Sequence, residues 1–274
     1  MANSGESFHA FEQAGWEDGS TVTGYHEHLS GLTTQCVDAL LDAAHVSAGS
    51  RVLDAATGAG YVAGAAARCG ADPIGMDFSV AQVRLARQTH PGVRFEQGDA
   101  QALALEPDTF DALVNAFGMC HLPNPALALS EAFRVLKSGP HVVFSVWDVP
   151  ERAVGFGAVD AAVRAHGSMD VGLPVGPNFL LFSDPEQSIK ALVNAGFVSP
   201  SCRQVPQVWR IADPDRLFDM VTEGTVRAAA TLRTQSPMAR QSIRAALRQT
   251  VASYKRGDTF EVPMPAAIAS AVKA

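Results

Sequence analysis

Cysteine is scarce in this sequence, and its four residues, Cys36, Cys69, Cys120 and Cys202, lie far apart with no C-x-x-C pair. That spacing excludes a disulfide framework and a zinc knuckle, and reads as free thiols filling a core. No H-x-x-x-D/E ligand cluster is present either, so no metal is expected. Long apolar runs are missing, and none reaches the ~20 residues a membrane helix needs. The polar stretch from Met1 to Gly15 lacks the basic-then-apolar pattern of a secretory signal. A soluble, cytoplasmic protein is the expectation. Charge is sparse at 18%, there is no Lys/Arg run, and the net charge is −7. Such a surface does not track phosphates, so neither nucleic acid nor membrane is expected as a partner. Internal repeats, low-complexity tracts and linkers are absent. What remains is a chain of 274 residues that is 47% hydrophobic, enough to build the core of one large α/β domain.

Short β-rich runs alternate with helical patterns, the signature of a parallel sheet covered on both faces. Leu32, Cys36, Val37, Leu40, Leu41 and Ala44 recur at helical spacing and predict a helix over 31–46. Arg51 to Asp54 reads as a strand running into Thr57-Gly58-Ala59-Gly60, followed by an Ala-rich helix from Tyr61 to Cys69. Ile74 to Asp77 is a second strand, and Ser79 has the look of an N-cap for the helix after it. Further strands are expected at Val93–Phe95, Phe110–Val114 and His141–Trp147, with a helix through Leu129, Phe133 and Leu136 that Gly139 ends. Pro150 to Phe182, rich in Gly and Pro, reads as an irregular insertion. Residues 184–195 form a helix, Gln204–Ile211 a strand, 213–255 mostly helix and Pro265–Val272 a last strand. The expected fold is therefore α/β, a doubly wound, seven-stranded and mostly parallel sheet.

In such sheets a ligand sits outside the carboxyl ends of the strands, at the switch point of strand order. Three motifs fall at three consecutive strand ends. Asp54 to Gly60 is a Gly-rich turn opening a helix, where Gly58 and Gly60 permit conformations and approach that a Cβ would block. Alone it also satisfies the G-x-G-x-x-A dinucleotide pattern, or is an ordinary strand–helix turn. Asp77 lies about twenty residues on, where an acid accepts both hydroxyls of a ribose, although an aspartate there can also cap a helix. Gly98-Asp99-Ala100 follows the third strand, where an acid could take the exocyclic amine of adenine or simply sit in a loop.

Taken together, these segments resemble the class I S-adenosylmethionine-dependent methyltransferases. Val52-Leu53-Asp54-Ala55-Ala56-Thr57-Gly58-Ala59-Gly60 is similar to their first motif, Gly75 to Ser79 to their second-strand motif, and Gly98-Asp99-Ala100 to their adenine motif. Phe110 to Val114, continuing through Phe117-Gly118-Met119-Cys120-His121-Leu122, looks like their fourth strand and its loop. Glu131 to Gly139 resembles the helix and turn before strand five. Order and spacing match the branch that includes the ubiquinone and menaquinone biosynthesis methyltransferases, over residues 50–147. The resemblance implies S-adenosylmethionine as cofactor. It places Ala55, Gly58 and Gly60 around the methionine end, Asp77 on the ribose with Phe78 beside the adenine, and Asp99 and Ala100 on the adenine edge. Asn115 and Ala116 would close over the amino-acid end, with Asp54 holding the turn and the ammonium. Tyr25 and Gln82 join the set, Gln82 standing where many relatives carry Met. Pro140 replaces a common Gly in the turn before strand five.

The acceptor is expected to be a small, apolar or aromatic metabolite, methylated by direct in-line displacement. The chain reads as one domain over 1–274. Residues 1–48 form an N-terminal helical cap, 49–149 the cofactor-binding half, and 150–183 and 213–257 acceptor-side insertions that act as a lid. Trp16, Tyr25, Phe156, Met169, Phe179, Phe182, Trp209, Phe218 and Met220 are divided between core and pocket wall. His121 is the first candidate for a general base, with His26 and His28 behind it. A nicotinamide-dependent oxidoreductase shares the Gly turn and Asp77, but leaves Asp54, Gly98-Asp99-Ala100 and the Glu131–Gly139 run unexplained. A protein of this fold that uses the cofactor without transferring its methyl, such as a cyclase, has the same motifs.

Overall fold

The computed structural model describes residues 4–274, so the first three residues of the N-terminal segment lie outside the described residues. The chain opens with helices α1 (Ser4–Glu17), α2 (Gly19–Thr33) and α3 (Val37–Ala43). Strand β1 (Arg51–Ala55) leads to α4 (Tyr61–Arg68), β2 (Asp72–Asp77) to α5 (Val80–Thr89), and β3 (Arg94–Gln97) to β4 (Phe110–Ala116). Helix α6 (Pro125–Val135) runs directly into β5 (Leu136–Trp147), followed by α7 (Val154–His166), α8 (Pro185–Asn194), β6 (Val198–Val205) and β7 (Val208–Ile211). Helices α9 (Leu217–Gly224), α10 (Arg227–Thr234) and α11 (Pro237–Ala252) precede β8 (Lys255–Arg256), β9 (Thr259–Pro263) and β10 (Ala266–Val272).

Seven strands form one sheet in the order β3-β2-β1-β4-β5-β10-β6. β1 pairs parallel with both β2 and β4, so the chain winds outward in both directions from this central pair. β10 is the reversed strand, antiparallel to β5 and β6. Side chains alternate between two cores, as a strand period of two requires. Val52, Val114, Val143 and Ile268 face the core under α2, α3, α7 and α9. Leu53, Leu113, Phe144 and Ala269 face the one under α6 and α8. Ser79 caps α5 as its sequence suggested, its Oγ accepting from Gln82 N at 3.1 Å.

Several boundaries differ from the sequence reading. The helix expected over 31–46 is interrupted by a 3₁₀ turn at Thr34–Cys36, which separates α2 from α3. The strand expected over Gln204–Ile211 is two strands in two sheets. Pro206, with no N–H to give, breaks it, and β7 joins β9 and β8 in a three-stranded sheet. The 150–183 insertion is not wholly irregular, because α7 buries Val159, Ala162 and Val163 on one face despite its two glycines. The helix before β5 ends at Val135 rather than at Gly139, and β5 extends through Gly139 with a register shift before His141.

Candidate active site

The turn after β1 and the loop after β4 face each other at the switch point. Ala56 (φ 56°) and Phe117 (φ 57°), one residue past each strand, are two of the five non-glycine residues with positive φ among the described residues. A bulky side chain in that region is strained, and such strain persists only where its surroundings over-determine it. Asn115 supplies the restraint: its Nδ2 donates to Ala55 O at 3.0 Å and its Oδ1 accepts from Gly118 N at 3.0 Å. It ties the two strand ends together and does not line the cleft between them, which departs from its expected place over the amino-acid end.

The three aspartates at the strand ends occupy different environments. Asp77, 5% exposed, accepts from Gly58 N at 2.9 Å through Oδ2 and from Ser79 N at 3.0 Å through Oδ1. Burial pushes its pKa up to about 6 against the pull of those two N–H donors. It lines the cleft, and each oxygen keeps lone-pair capacity for a hydroxyl. Asp54 is fully buried, with Oδ2 accepting from Thr57 Oγ1 at 2.6 Å and from Ala63 N at 3.0 Å. Its Oδ1 has no partner among the described residues, and burial pushes the carboxyl up to about 7. Asp54 therefore holds the Gly-rich turn to the start of α4. Asp99 is folded back on its own turn, where Oδ1 accepts from Gln101 N at 2.8 Å, and it lies outside the cleft wall. Ala100 packs into the core beneath α6.

Two cavities meet here. The cofactor-side cleft, about 90 Å³, is lined by Gly58, Asp77, Phe78, Gln82 and Ala116, all expected, together with Tyr25. Gly60 is not part of that wall: a Cβ there would stand 2.6 Å from the Phe95 ring, so this glycine, in a left-handed conformation, serves helix–sheet packing. Ala55 is likewise outside the wall, its carbonyl engaged by Asn115. The second cavity, about 360 Å³, is walled largely by residues from the 150–183 and 213–257 segments. Phe156, Met169 and Phe179 line it, whereas Phe182, Trp209, Phe218 and Met220 are core. Trp16, Tyr25, Phe117 and His121 belong to both walls.

Of the three histidines considered from sequence, His121 alone stands at this junction. His26 pairs with the Tyr61 hydroxyl and His28 with Glu223 at 2.7 Å, and neither lines a cavity. His121 Nδ1 lies 2.8 Å from Oε2 of Glu12, which also accepts from Trp16 Nε1 at 3.2 Å. Burial acts to lower the imidazole pKa. The adjacent Cys120 and the Glu12 carboxylate oppose it and prevail, holding His121 well above its usual value. Glu12 was not singled out from sequence, although a signal existed. Phe8, Glu12 and Trp16 recur at i, i+4 on α1 and are all buried, so one acid sits on the apolar stripe of a helix.

The site can be tested for its fit to a nucleoside sulfonium. Asp77 presents an anchored carboxylate, Phe78 and Gln82 flank it, and the unpartnered Asp54 Oδ1 is a polar atom buried beneath the turn. These groups suit ribose hydroxyls, a flat base and a cationic end.

Residues 53–144 match a family model described as a methyltransferase domain. A demethylmenaquinone methyltransferase of Renibacterium salmoninarum is 34% identical over 111 residues, 40% of this chain and 47% of that protein. The chain thus matches about half the length of such curated relatives. Among solved structures, Haemonchus contortus phosphoethanolamine N-methyltransferase 2, bound to S-adenosylhomocysteine, covers 97% of this chain and 60% of its own, with TM-score 0.60 and 18% identity. A [4+2]-cyclase covers 88% of this chain and 81% of its own, with TM-score 0.51 and 18% identity. The chain carries the α/β fold of these methyltransferases, and its central segment, residues 53–144, is similar to a methyltransferase domain and to the demethylmenaquinone methyltransferases.

Proposed function

We propose that this protein binds S-adenosylmethionine at the switch point and transfers its methyl group to a small, apolar or aromatic metabolite. The observation that carries this reading is the pair of cavities sharing Trp16, Tyr25, Phe117 and His121 as a common wall. One cavity has the polar groups of a nucleoside site. The other is mostly apolar and of a size for a metabolite. The family match ends at residue 144, and most of the second cavity is built from residues beyond it, so the acceptor class is read from this chain's own walls.

When bound, the cofactor supplies an electrophilic methyl group on a positively charged sulfur. The protein's part is mostly to position and to exclude water. Asp77 holds the ribose, Phe78 and Gln82 flank the base, and Phe117 and Trp147, stacked 4.2 Å apart, give the acceptor a dry aromatic surface. The acceptor then reaches the methyl group past His121.

Calorimetry and thermal unfolding with S-adenosylhomocysteine test this reading. At a hundredfold excess over Kd, a ligand adds about 2.7 kcal/mol, which should raise Tm by roughly 5–10 °C for a chain of this size. NAD and NADP should leave Tm unchanged. Asp77→Ala should weaken S-adenosylhomocysteine by at least about tenfold, since a hydrogen bond to a charged group is worth about 1.5–3 kcal/mol, with the circular dichroism spectrum preserved. Stabilisation by NAD in place of S-adenosylhomocysteine would refute the assignment.

A further inference from the structure

Glu12 is 2% exposed, on a helix whose other buried positions are aromatic. A carboxylate in such a place is costly unless it is paired. Its Oε2 receives the Trp16 indole N–H and faces His121 Nδ1, so both partners of Glu12 belong to the wall shared by the two cavities. The imidazole is held on its faces as well: Trp16 meets it edge-on with centroids 5.3 Å apart, and Phe179 at 5.8 Å. With Nδ1 engaged and the ring fixed, Nε2 is the position left to exchange a proton. It has no hydrogen-bond partner among the described residues, and the side chain is 25% exposed.

The other charged groups lining the acceptor cavity are committed elsewhere. Asp148 binds Arg152 at 2.6 Å, Asp160 binds Arg164 at 2.7 Å, and Arg227 donates to Pro174 O at 2.8 Å. Around His121 itself the titratable neighbours are Glu12 from α1, Cys120 in the same loop, Tyr25 from α2 and Asp77 at the end of β2. Glu12 is the carboxylate that hydrogen-bonds to the ring, with the Cys120 thiol beside it.

This arrangement restricts the acceptor, given the methyl-transfer reading on which it rests. An alkylamine arrives protonated at neutral pH and is repelled by an imidazole held well above its usual pKa, and a carboxylic acid arrives already ionised. A phenol or enol gains most as a nucleophile by losing its proton, and a cationic donor at the reaction junction favours that loss. We propose that Glu12 and His121 form a proton-handling pair in which Glu12 is the positioning residue, and that the acceptor is a phenol or enol methylated on oxygen. The acceptor hydroxyl releases its proton to solvent as its oxygen accepts from the His121 Nε2–H, and that oxygen then forms the new bond to carbon. The sulfur–methyl bond breaks with its electron pair staying on sulfur, which becomes a neutral thioether. Glu12 stabilises the imidazolium charge throughout.

The test uses the full chain saturated with S-adenosylhomocysteine and two probes, 4-nitrophenol and its methyl ether, 4-nitroanisole. The phenolate absorbs visible light, so binding and ionisation are read together without turnover. A charge-assisted contact to His121 should make the phenol bind at least about tenfold more tightly than the ether at neutral pH, as its anion. In His121→Asn the two probes should bind within about threefold of each other. Glu12→Gln should move ionisation of the bound phenol to higher pH by about one unit, the effect of losing a neighbouring carboxylate, and Glu12→Asp should restore part of it. Equal binding of the two probes by wild type, a preference surviving in His121→Asn, or binding of neither probe would overturn the acceptor class. An unshifted ionisation in Glu12→Gln would overturn the role of Glu12. If S-adenosylhomocysteine itself failed to bind, the methyl-transfer reading would fall instead, so the two failures are told apart.

Discussion

Asp54 and Asp77 stand at the ends of adjacent strands and both are deeply buried, yet their chemistry differs. Asp77 accepts two backbone N–H groups and opens onto the cleft, so its carboxylate can be ionised and still have work for a ligand. Asp54 has one oxygen satisfied and the other unpartnered, with its carboxyl pushed up to about 7 by burial, opposed by Thr57 and Ala63. A group whose native pKa lies above its unfolded value binds protons preferentially in the native state. Its contribution to stability is full below about 3.9 and is lost as pH rises through about 7. Asp54→Asn keeps an acceptor for Thr57 and Ala63 but cannot ionise. The stability of this variant relative to wild type should therefore increase by about 1–4 kcal/mol between pH 5 and pH 8, measured by urea unfolding. A difference that is flat or falls with pH would show that Asp54 is not held against ionisation. Asp77 was legible in the sequence because its place, at the second strand end beyond a Gly turn, is fixed by topology. Asn115 and Gly60 were assigned to the cofactor by motif, but a motif does not say whether a residue touches a ligand or braces the backbone that does. Glu12 escaped because its partner is 109 residues away.

At the scale of elements, α1 is fastened across the cofactor cleft at both its polar and its apolar points. Glu17 accepts from Val80 N at 2.7 Å and from Ala81 N at 3.3 Å, capping the start of α5, and Trp16 O accepts from Ser79 Oγ at 2.7 Å. These contacts tie α1 to the helix that follows Asp77, the ribose candidate. A carboxylate at a helix N-terminus is worth about 0.3–1 kcal/mol, so Glu17→Gln should speed hydrogen exchange in α1 by roughly two- to fivefold. S-adenosylhomocysteine should slow the same amides in both proteins, because Trp16 forms part of the cleft wall. Equal exchange of α1 with and without that ligand would show that the helix does not cover the site. Helical spacing revealed α5 and the strand ends because their patterns are local. The break at Pro206 was readable in principle, since proline cannot continue a central strand, but Val205 before it and Val208, Trp209 and Ile211 after it, alternating with polar residues, read as one strand. The small β7-β9-β8 sheet was missed because β8 has two residues and β9 five, too few for alternation to stand out.

For the molecule as a whole, the sheet order β3-β2-β1-β4-β5-β10-β6 does most to place the site. The alternation of strands and helices foretold a doubly wound sheet, and from that follows a crevice at the β1–β4 switch point. The reversed last strand could not be read from its composition, because an apolar strand buried on both faces looks alike in either direction. Nor could the second cavity, which depends on how α7 and α10 pack over the sheet. Yet the two cavities and their common wall are what join a nucleoside site to an acceptor site. A crystal structure of the protein with S-adenosylhomocysteine tests that union most directly. The expected result has both ribose hydroxyls on the Asp77 carboxylate, the base between Phe78 and Gln82, and the sulfur directed toward His121 and the acceptor cavity. Density for the nucleoside in the larger cavity, or with its sulfur turned away from His121, would contradict it.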